Sequence, residues 1–137
     1  MDHIPINSRF LSILFAAIIF FLSTKVSAGV QDDFFWAIDK DNLSQVSELI
    51  KKGANPDVLN AEGYTSLMVA AKTGNLKLAQ LLIDAGAKLN IRNRLGETAI
   101  MLASYQGQTE MVKRFYIKGA EINHGGWNPL LYAASGG

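Results

Sequence analysis

The stretch that decides the fold is GYTSLMVAA at residues 63–71, with a counterpart, GETAIMLA, at residues 96–103. The second stretch begins 33 residues after the first, and Gly-Ala pairs at residues 53–54, 86–87 and 119–120 keep the same spacing. A period of this length indicates one small supersecondary unit repeated along the chain. The sequence therefore predicts a stack of similar units.

Each unit has the pattern of two short helices followed by a turn-rich loop. Residues 65–73 predict the first helix, whose apolar stripe is narrow and rich in alanine. Gly74 is expected to end that helix in a left-handed conformation, and Asn75 to cap a second helix over residues 76–85. Residues 87–96 then alternate apolar and polar side chains, which favours a projecting hairpin. Such short helices are marginal alone, so the units must stack.

These residues resemble the ankyrin repeat. The matching segments are residues 63–71, 74–76, 81–83 and 86–90 in one unit, and 96–103 and 119–123 in the next. The resemblance implies an all-α repeat solenoid of stacked helix-turn-helix units with short β-hairpin loops, and places repeats at about 32–60, 61–93 and 94–126, with a partial unit at 127–137. The family's Thr-Pro-Leu-His motif is here Thr-Ser-Leu-Met at residues 65–68, so methionine packing must replace the histidine hydrogen bonds.

The first and last units depart from the pattern. Asp33 is predicted to cap the divergent first helix, and Trp36 to cover the open end of the stack. Phe115 and Tyr116 are both predicted to lie in the core. The chain stops at Gly137, inside the fourth unit, which leads us to expect a piece of a longer protein. A natural end that docks onto another molecule is the alternative.

The amino-terminal segment predicts export. Residues 10–22 read FLSILFAAIIFFL, follow Arg9 and precede the small residues Val26-Ser27-Ala28. This run is shorter than the roughly 20 apolar residues that span a bilayer. It predicts a signal peptide over residues 1–28, cleaved after Ala28, before a repeat domain at 29–137. An uncleaved anchor or a buried helix is the alternative. With no cysteine, the chain fits a bacterial periplasm better than an animal extracellular space, so we expect a periplasmic or secreted protein.

Composition argues against catalysis and against nucleic acid. The formal net charge of +1 gives no broad basic surface, and without cysteine there is no thiol nucleophile or thiolate metal site. His124 is the one histidine beyond the signal segment and has no partner histidine at ligand spacing. The acidic pairs Asp32-Asp33 and Asp39-x-Asp41 are interpreted as a helix cap and a solvated face. We therefore expect no catalytic, cofactor-binding or metal-binding residues, no nucleic acid, and no membrane contact after signal cleavage.

The resemblance points to protein binding instead. It implies a groove formed by the hairpin tips and the exposed side of the first helices. Arginine and tyrosine supply many interface hot spots, which favours Tyr64, Lys72, Arg92, Arg94 and Tyr105 as partner-binding residues. The wider groove carries over to Leu59, Ala61, Glu62, Thr73, Leu95, Glu97 and Gln106. The alternative is that the arginines only keep a hairpin soluble and Tyr105 packs on the next unit.

The expected function is therefore that of an exported, non-catalytic ankyrin-repeat protein with a protein partner of unknown identity. Exported bacterial proteins that it resembles include some tied to peroxide resistance alongside catalase and others that give immunity to a secreted lipase-type toxin. Two alternatives stay open. The repeats are the N-terminal recognition arm of a longer enzyme or multidomain protein, or the chain is a cytosolic scaffold that retains residues 1–28.

Overall fold

The computed structural model describes residues 8–122 and residue 134, without side-chain detail at residues 10 and 19–28. Residues 8–122 form six helices in chain order. They are α1 (Ser8–Asp39), α2 (Leu43–Lys51), α3 (Ser66–Thr73), α4 (Leu76–Asp84), α5 (Ala99–Tyr105) and α6 (Thr109–Ile117). The predicted fourth unit from Trp127 and the predicted hairpin at His124 lie outside the described residues.

The helix pair α3–α4 lies where the sequence predicted it, with α3 starting one residue later and α4 ending one residue earlier than predicted. Thr65 precedes α3, and its hydroxyl oxygen accepts a hydrogen bond from the backbone N–H of Met68 at 3.3 Å. Gly74 ends α3 with φ of 73°, a left-handed conformation that costs glycine little. Asn75 caps α4, because its side-chain oxygen accepts a hydrogen bond from the N–H of Leu78 at 3.0 Å. The local sequence thus fixes the turn between the two helices.

The units stack through two layers of helices. The inner helices α3 and α5 pack side by side, and the outer helix α4 contacts α2. Ala70 and Ala103 are fully buried, so the small side chains allow the close helix approach that the alanine-rich stripe predicted. Met68 is 1% exposed, which confirms that methionine packs where the family has histidine. The predicted all-α repeat solenoid is confirmed.

Short loops connect each outer helix to the next inner helix. In the second loop the N–H of Asn93 donates to the carbonyl of Glu97 at 3.0 Å, and the first loop has the same bond between Asn60 and Tyr64 at 2.9 Å. These are hairpin turns. No strand occurs in residues 8–122. Neighbouring loops are also joined, since Asp57 Oδ1 accepts a hydrogen bond from the N–H of Lys88 at 2.8 Å.

The first helix differs from the prediction. Asp33 lies inside α1 and does not cap it, because the apolar residues before it continue the helix without a break. Val30 and Phe34 pack into the stack, whereas Phe15 is 67% exposed. Over the residues described, no helix is long and apolar enough to cross a membrane. The cleavage site after Ala28 stays a prediction.

The third unit departs from the second at its helix starts. Thr98 and Gln108 precede α5 and α6, but neither side chain forms a cap hydrogen bond. Thr98 Oγ1 and Gln108 Oε1 are buried without a hydrogen-bond partner among the residues described. The predicted core position of Phe115 is confirmed, since it is fully buried. The predicted core position of Tyr116 is wrong. Tyr116 follows Phe115 on α6, faces outward and is 49% exposed.

Candidate protein-binding surface

The surface that the sequence singled out comprises the two hairpin loops, residues 55–64 and 88–97, and the exposed sides of α3 and α5. We call it the hairpin face. Both loops are closed by an asparagine. Asn60 Oδ1 accepts hydrogen bonds from the N–H groups of Glu62 at 3.1 Å and Tyr64 at 2.9 Å. The loop tips are therefore held by side-chain to backbone bonds rather than left open.

The second loop repeats this arrangement at an offset of 33 residues. Asn93 Oδ1 accepts hydrogen bonds from Leu95 at 3.0 Å and Glu97 at 2.9 Å, and Asn93 is itself 9% exposed. Its amide also donates to Glu97 Oε2 at 2.7 Å. Sequence reasoning missed these two asparagines, although their spacing of one repeat period was readable beside the paired glycines and threonines.

Two of the five predicted binding residues contact each other. The Lys72 ammonium lies over the ring of Tyr64, with Nζ 3.8 Å from the centroid. This is a cation–π contact between the first loop and the last turn of α3. Because it fixes both side chains, Tyr64 and Lys72 act as one feature of the hairpin face rather than as two independent anchors.

The other three predicted residues lie on the third unit. Arg92 Nη1 donates a hydrogen bond to the carbonyl of Gly96 at 2.8 Å, which braces the loop. Arg94 is exposed at the loop tip beside Leu95, which is 78% exposed. Tyr105 ends α5 and is 38% exposed. The structure brings Tyr64 and Lys72 together, and the part of all five residues in binding stays a prediction.

Trp36 was assigned by sequence to the open end of the stack, and the structure places it elsewhere. It lies beside the first hairpin loop and is 54% exposed, in a pocket that it shares with Asp39 and Glu62. The available signal was its helical spacing from Asp32 and Asp39, which puts an exposed aromatic ring between two carboxylates on one helix face. The hairpin face therefore extends onto α1.

The outer helices carry a different kind of surface. A cavity of about 750 Å³ lies between α2, α4 and α6. Three of its polar side chains are bonded to one another. Arg114 Nη1 donates to Gln80 Oε1 at 3.1 Å, and Gln80 Nε2 donates to Asp84 Oδ1 at 2.8 Å. On α2, the hydrogen bond from Lys52 and its positive charge lower the pKa of the Glu48 carboxyl.

The arrangement offers contact surface. No group of three or more histidine, cysteine, aspartate or glutamate side chains that could hold a metal ion occurs in the part of the chain that the structure describes. The loops present exposed arginine and leucine side chains, Arg94 and Leu95, on braced turns, and arginine is enriched in protein interfaces.

Comparison with known proteins agrees with the geometry. The family model described as ankyrin repeats (3 copies) matches the chain over residues 18–93, 34–125 and 86–137. The search among curated proteins found no match. The matched ranges run from residue 18 to residue 137 and include helices α2 to α6 and the later part of α1. The chain belongs to the ankyrin-repeat family.

Proposed function

We propose that this chain is an exported protein that binds another protein through its hairpin face and catalyses no reaction. Ankyrin repeats are typically non-catalytic protein-binding modules, which supports the binding role. The observation that carries the proposal is the pair of asparagine-braced loops with Arg94 and Leu95 exposed at one tip. Braced loops lose little conformational entropy on binding, so contacts made there contribute more fully to affinity.

The binding role is tested by affinity capture with the full chain from its native host. The variant Arg92→Ala with Tyr105→Ala removes an arginine and a tyrosine from the hairpin face. The matched control is Lys113→Ala with Tyr116→Ala, which removes a cation and an exposed tyrosine from α6. We expect one stoichiometric partner that the first variant loses and the control retains.

Arg94→Ala adds a second test, because Arg92 also braces its loop and its loss alters the loop itself. Arg94 is exposed, so its removal leaves the loop bonds of Asn93 in place. Loss of the partner with Arg94→Ala would confirm a direct contact. Equal retention by the hairpin-face variants and the α6 control would contradict the proposal.

Export is supported by the apolar run at residues 10–22 and the small residues that end at Ala28. Val30 and Gln31, which cleavage after Ala28 retains, are engaged with the stack: Val30 packs against the core and Gln31 bonds to Asn55. Amino-terminal sequencing of the native protein is expected to begin at Gly29. A native chain that begins at Met1 would contradict export by this route.

The identity of the partner determines which biological process the binding serves. Accessory action in peroxide resistance and immunity to a secreted toxin are the two roles we propose to test first, because both require a periplasmic protein that acts by binding. In the first case deletion of the gene sensitises cells to peroxide, and in the second it sensitises them to a neighbouring toxin. Absence of both phenotypes would reject both roles while leaving the binding experiment intact.

A further inference from the structure

A pocket of about 390 Å³ opens between the last turns of α1 and the first hairpin loop. From α1 come Asp32, Trp36 and Asp39, which share a helix face because they are spaced by four and three residues. The loop supplies Leu59 and Glu62. The volume falls in the lower range of small-ligand pockets, enough for one long side chain.

The walls of this pocket are fixed to each other. Gln31 Nε2 donates a hydrogen bond to the carbonyl of Asn55 at 2.9 Å, and the N–H of Asn55 donates to Gln31 Oε1 at 3.0 Å. This reciprocal pair joins α1 to the base of the loop. A ligand therefore meets a preformed pocket and does not have to order it.

The pocket is acidic. Asp32, Asp39 and Glu62 line it, and no lysine or arginine does. Within residues 8–122, none of the three carboxylates forms an ion pair or a side-chain hydrogen bond. This differs from the outer helices, where Arg114 is bonded to Glu110 and Gln80.

Binding of an organic cation is favoured by an aromatic ring beside the carboxylates, and Trp36 supplies that ring. Its side chain is 54% exposed, although a large aromatic ring is favourable to bury. Tryptophan is the best ring for a cation–π contact, and arginine combines such stacking with hydrogen bonds to carboxylates. Leu59, 38% exposed, provides an apolar wall for the methylenes of the same side chain.

We propose that the protein partner inserts an arginine or lysine side chain into this pocket, with arginine preferred. The inference rests on the proposed binding function, and it names one chemical group of the partner. Charge complementarity selects this occupant over an acidic or apolar segment. A free small cation or a divalent metal ion are the other occupants that the test distinguishes.

The experiment selects binders from random 12-residue peptides displayed on phage, using the full chain as target. The enriched peptides are expected to carry arginine or lysine at a common position. Replacing that arginine by citrulline, which keeps the shape and removes the charge, is expected to lower affinity about tenfold. Binders without a basic residue, or equal affinity for the two peptides, would overturn the proposal.

Variants of the chain locate the contact. Asp39→Asn and Trp36→Leu are each expected to weaken the arginine peptide about threefold or more and to leave the citrulline peptide unchanged. Asp33→Asn is the matched control, since Asp33 is an exposed carboxylate on α1 that does not line the pocket. Equal effects of Asp39→Asn and Asp33→Asn would mean general electrostatic attraction and would reject the pocket.

The remaining outcomes separate this inference from the binding function. If Arg94→Ala abolishes binding of the selected peptides and Asp39→Asn does not, the hairpin face remains the binding surface and the pocket is rejected. Enrichment of no peptide at all would count against both. Arginine amide or Ca²⁺ binding as tightly as the peptide, in a way that Asp39→Asn abolishes, would assign the pocket to a free cation and overturn the proposal.

Discussion

The second and third units occupy equivalent sequence positions but begin their helices differently. In the second unit, the side chains of Thr65 and Asn75 accept hydrogen bonds from the first-turn N–H groups of α3 and α4. In the third, Thr98 Oγ1 and Gln108 Oε1 are buried and unbonded among the residues described. Both units nevertheless form the same helix pair. Capping therefore stabilises a unit, whereas stacking of its apolar faces decides that it forms.

Gln108 does not cap α6 as Asn75 caps α4, because its side chain is longer. Asn75 reaches the N–H of Leu78 and also donates to Asp41 Oδ1 at 2.6 Å. Glutamine is one methylene longer, and the Gln108 side chain extends over Gly74 instead of capping its own helix. An unsatisfied buried polar group costs about 1–3 kcal/mol. The third unit is thus expected to open before the second, which local hydrogen exchange can detect.

The largest expected effect comes from the core that both units share. Phe115 occupies in α6 the position of Leu82 in α4, and both are fully buried. Phe115→Ala is expected to lower the free energy of unfolding by about 3–5 kcal/mol in denaturant titration. Tyr116→Ala is the control on the next residue, and its ring is 49% exposed. Similar losses for the two variants would contradict the outward placement of Tyr116.

Gly74→Ala tests the contact between the two units. Gly74 has φ of 73°, and a Cβ there would lie 3.1 Å from Gln108 Nε2. The substitution is expected to cost about 1–2 kcal/mol of unfolding free energy for the backbone conformation alone, plus the displacement of Gln108. Gly86→Ala, at φ of 89° with nothing within 4 Å, isolates the backbone part. A larger cost at Gly86 would argue against the Gln108 contact.

Asn75→Ala removes a cap that is present, whereas Gln108→Ala removes a side chain that caps nothing. We expect Asn75→Ala to lower the free energy of unfolding by about 1 kcal/mol and Gln108→Ala by less, since the latter also removes an unsatisfied oxygen. Thermal and denaturant unfolding of the two variants measure the difference directly. The reverse order would mean that the caps are not what distinguishes the units.

The smallest expected effect is a gain. Gln108→Asn installs at α6 the residue that caps α4, and it is expected to raise the free energy of unfolding by about 0.5–1 kcal/mol. Hydrogen exchange at the N–H of Met111 reports the new bond, because that group is the counterpart of Leu78. Unchanged stability with unchanged exchange at Met111 would show that backbone geometry, not side-chain length, keeps α6 uncapped.

The sequence predicted best those residues whose role depends only on their immediate neighbours in the chain. Gly74 and Asn75 were assigned correctly because a cap or a left-handed turn is decided within one helical turn, whereas Thr65, predicted inside the first helix, caps it instead. Asp33 was not assigned correctly, since whether it caps or continues α1 depends on the apolar residues before it. Tyr116 failed for another reason: of two adjacent aromatic residues, only the stacking register decides which one faces the core.

The candidate surface was predictable in position but not in detail. Tyr64 and Lys72 were chosen separately, and only the fold shows that they are in contact, because the loop must first turn back over α3. Trp36 was placed at the wrong part of the stack for the same reason. Its exposure depends on where the first loop lies, and that loop is set by Gln31 and Asn55, which are 24 residues apart.

The most direct test of the central claim is site-specific photo-crosslinking in the native host. A photoreactive residue replaces Leu95 at the tip of the second loop or Lys113 on α6, both of which are exposed. The account predicts that the partner crosslinks to the chain carrying the probe at position 95 and not to the chain carrying it at position 113. Crosslinking at position 113 alone, or equally at both, would contradict binding through the hairpin face.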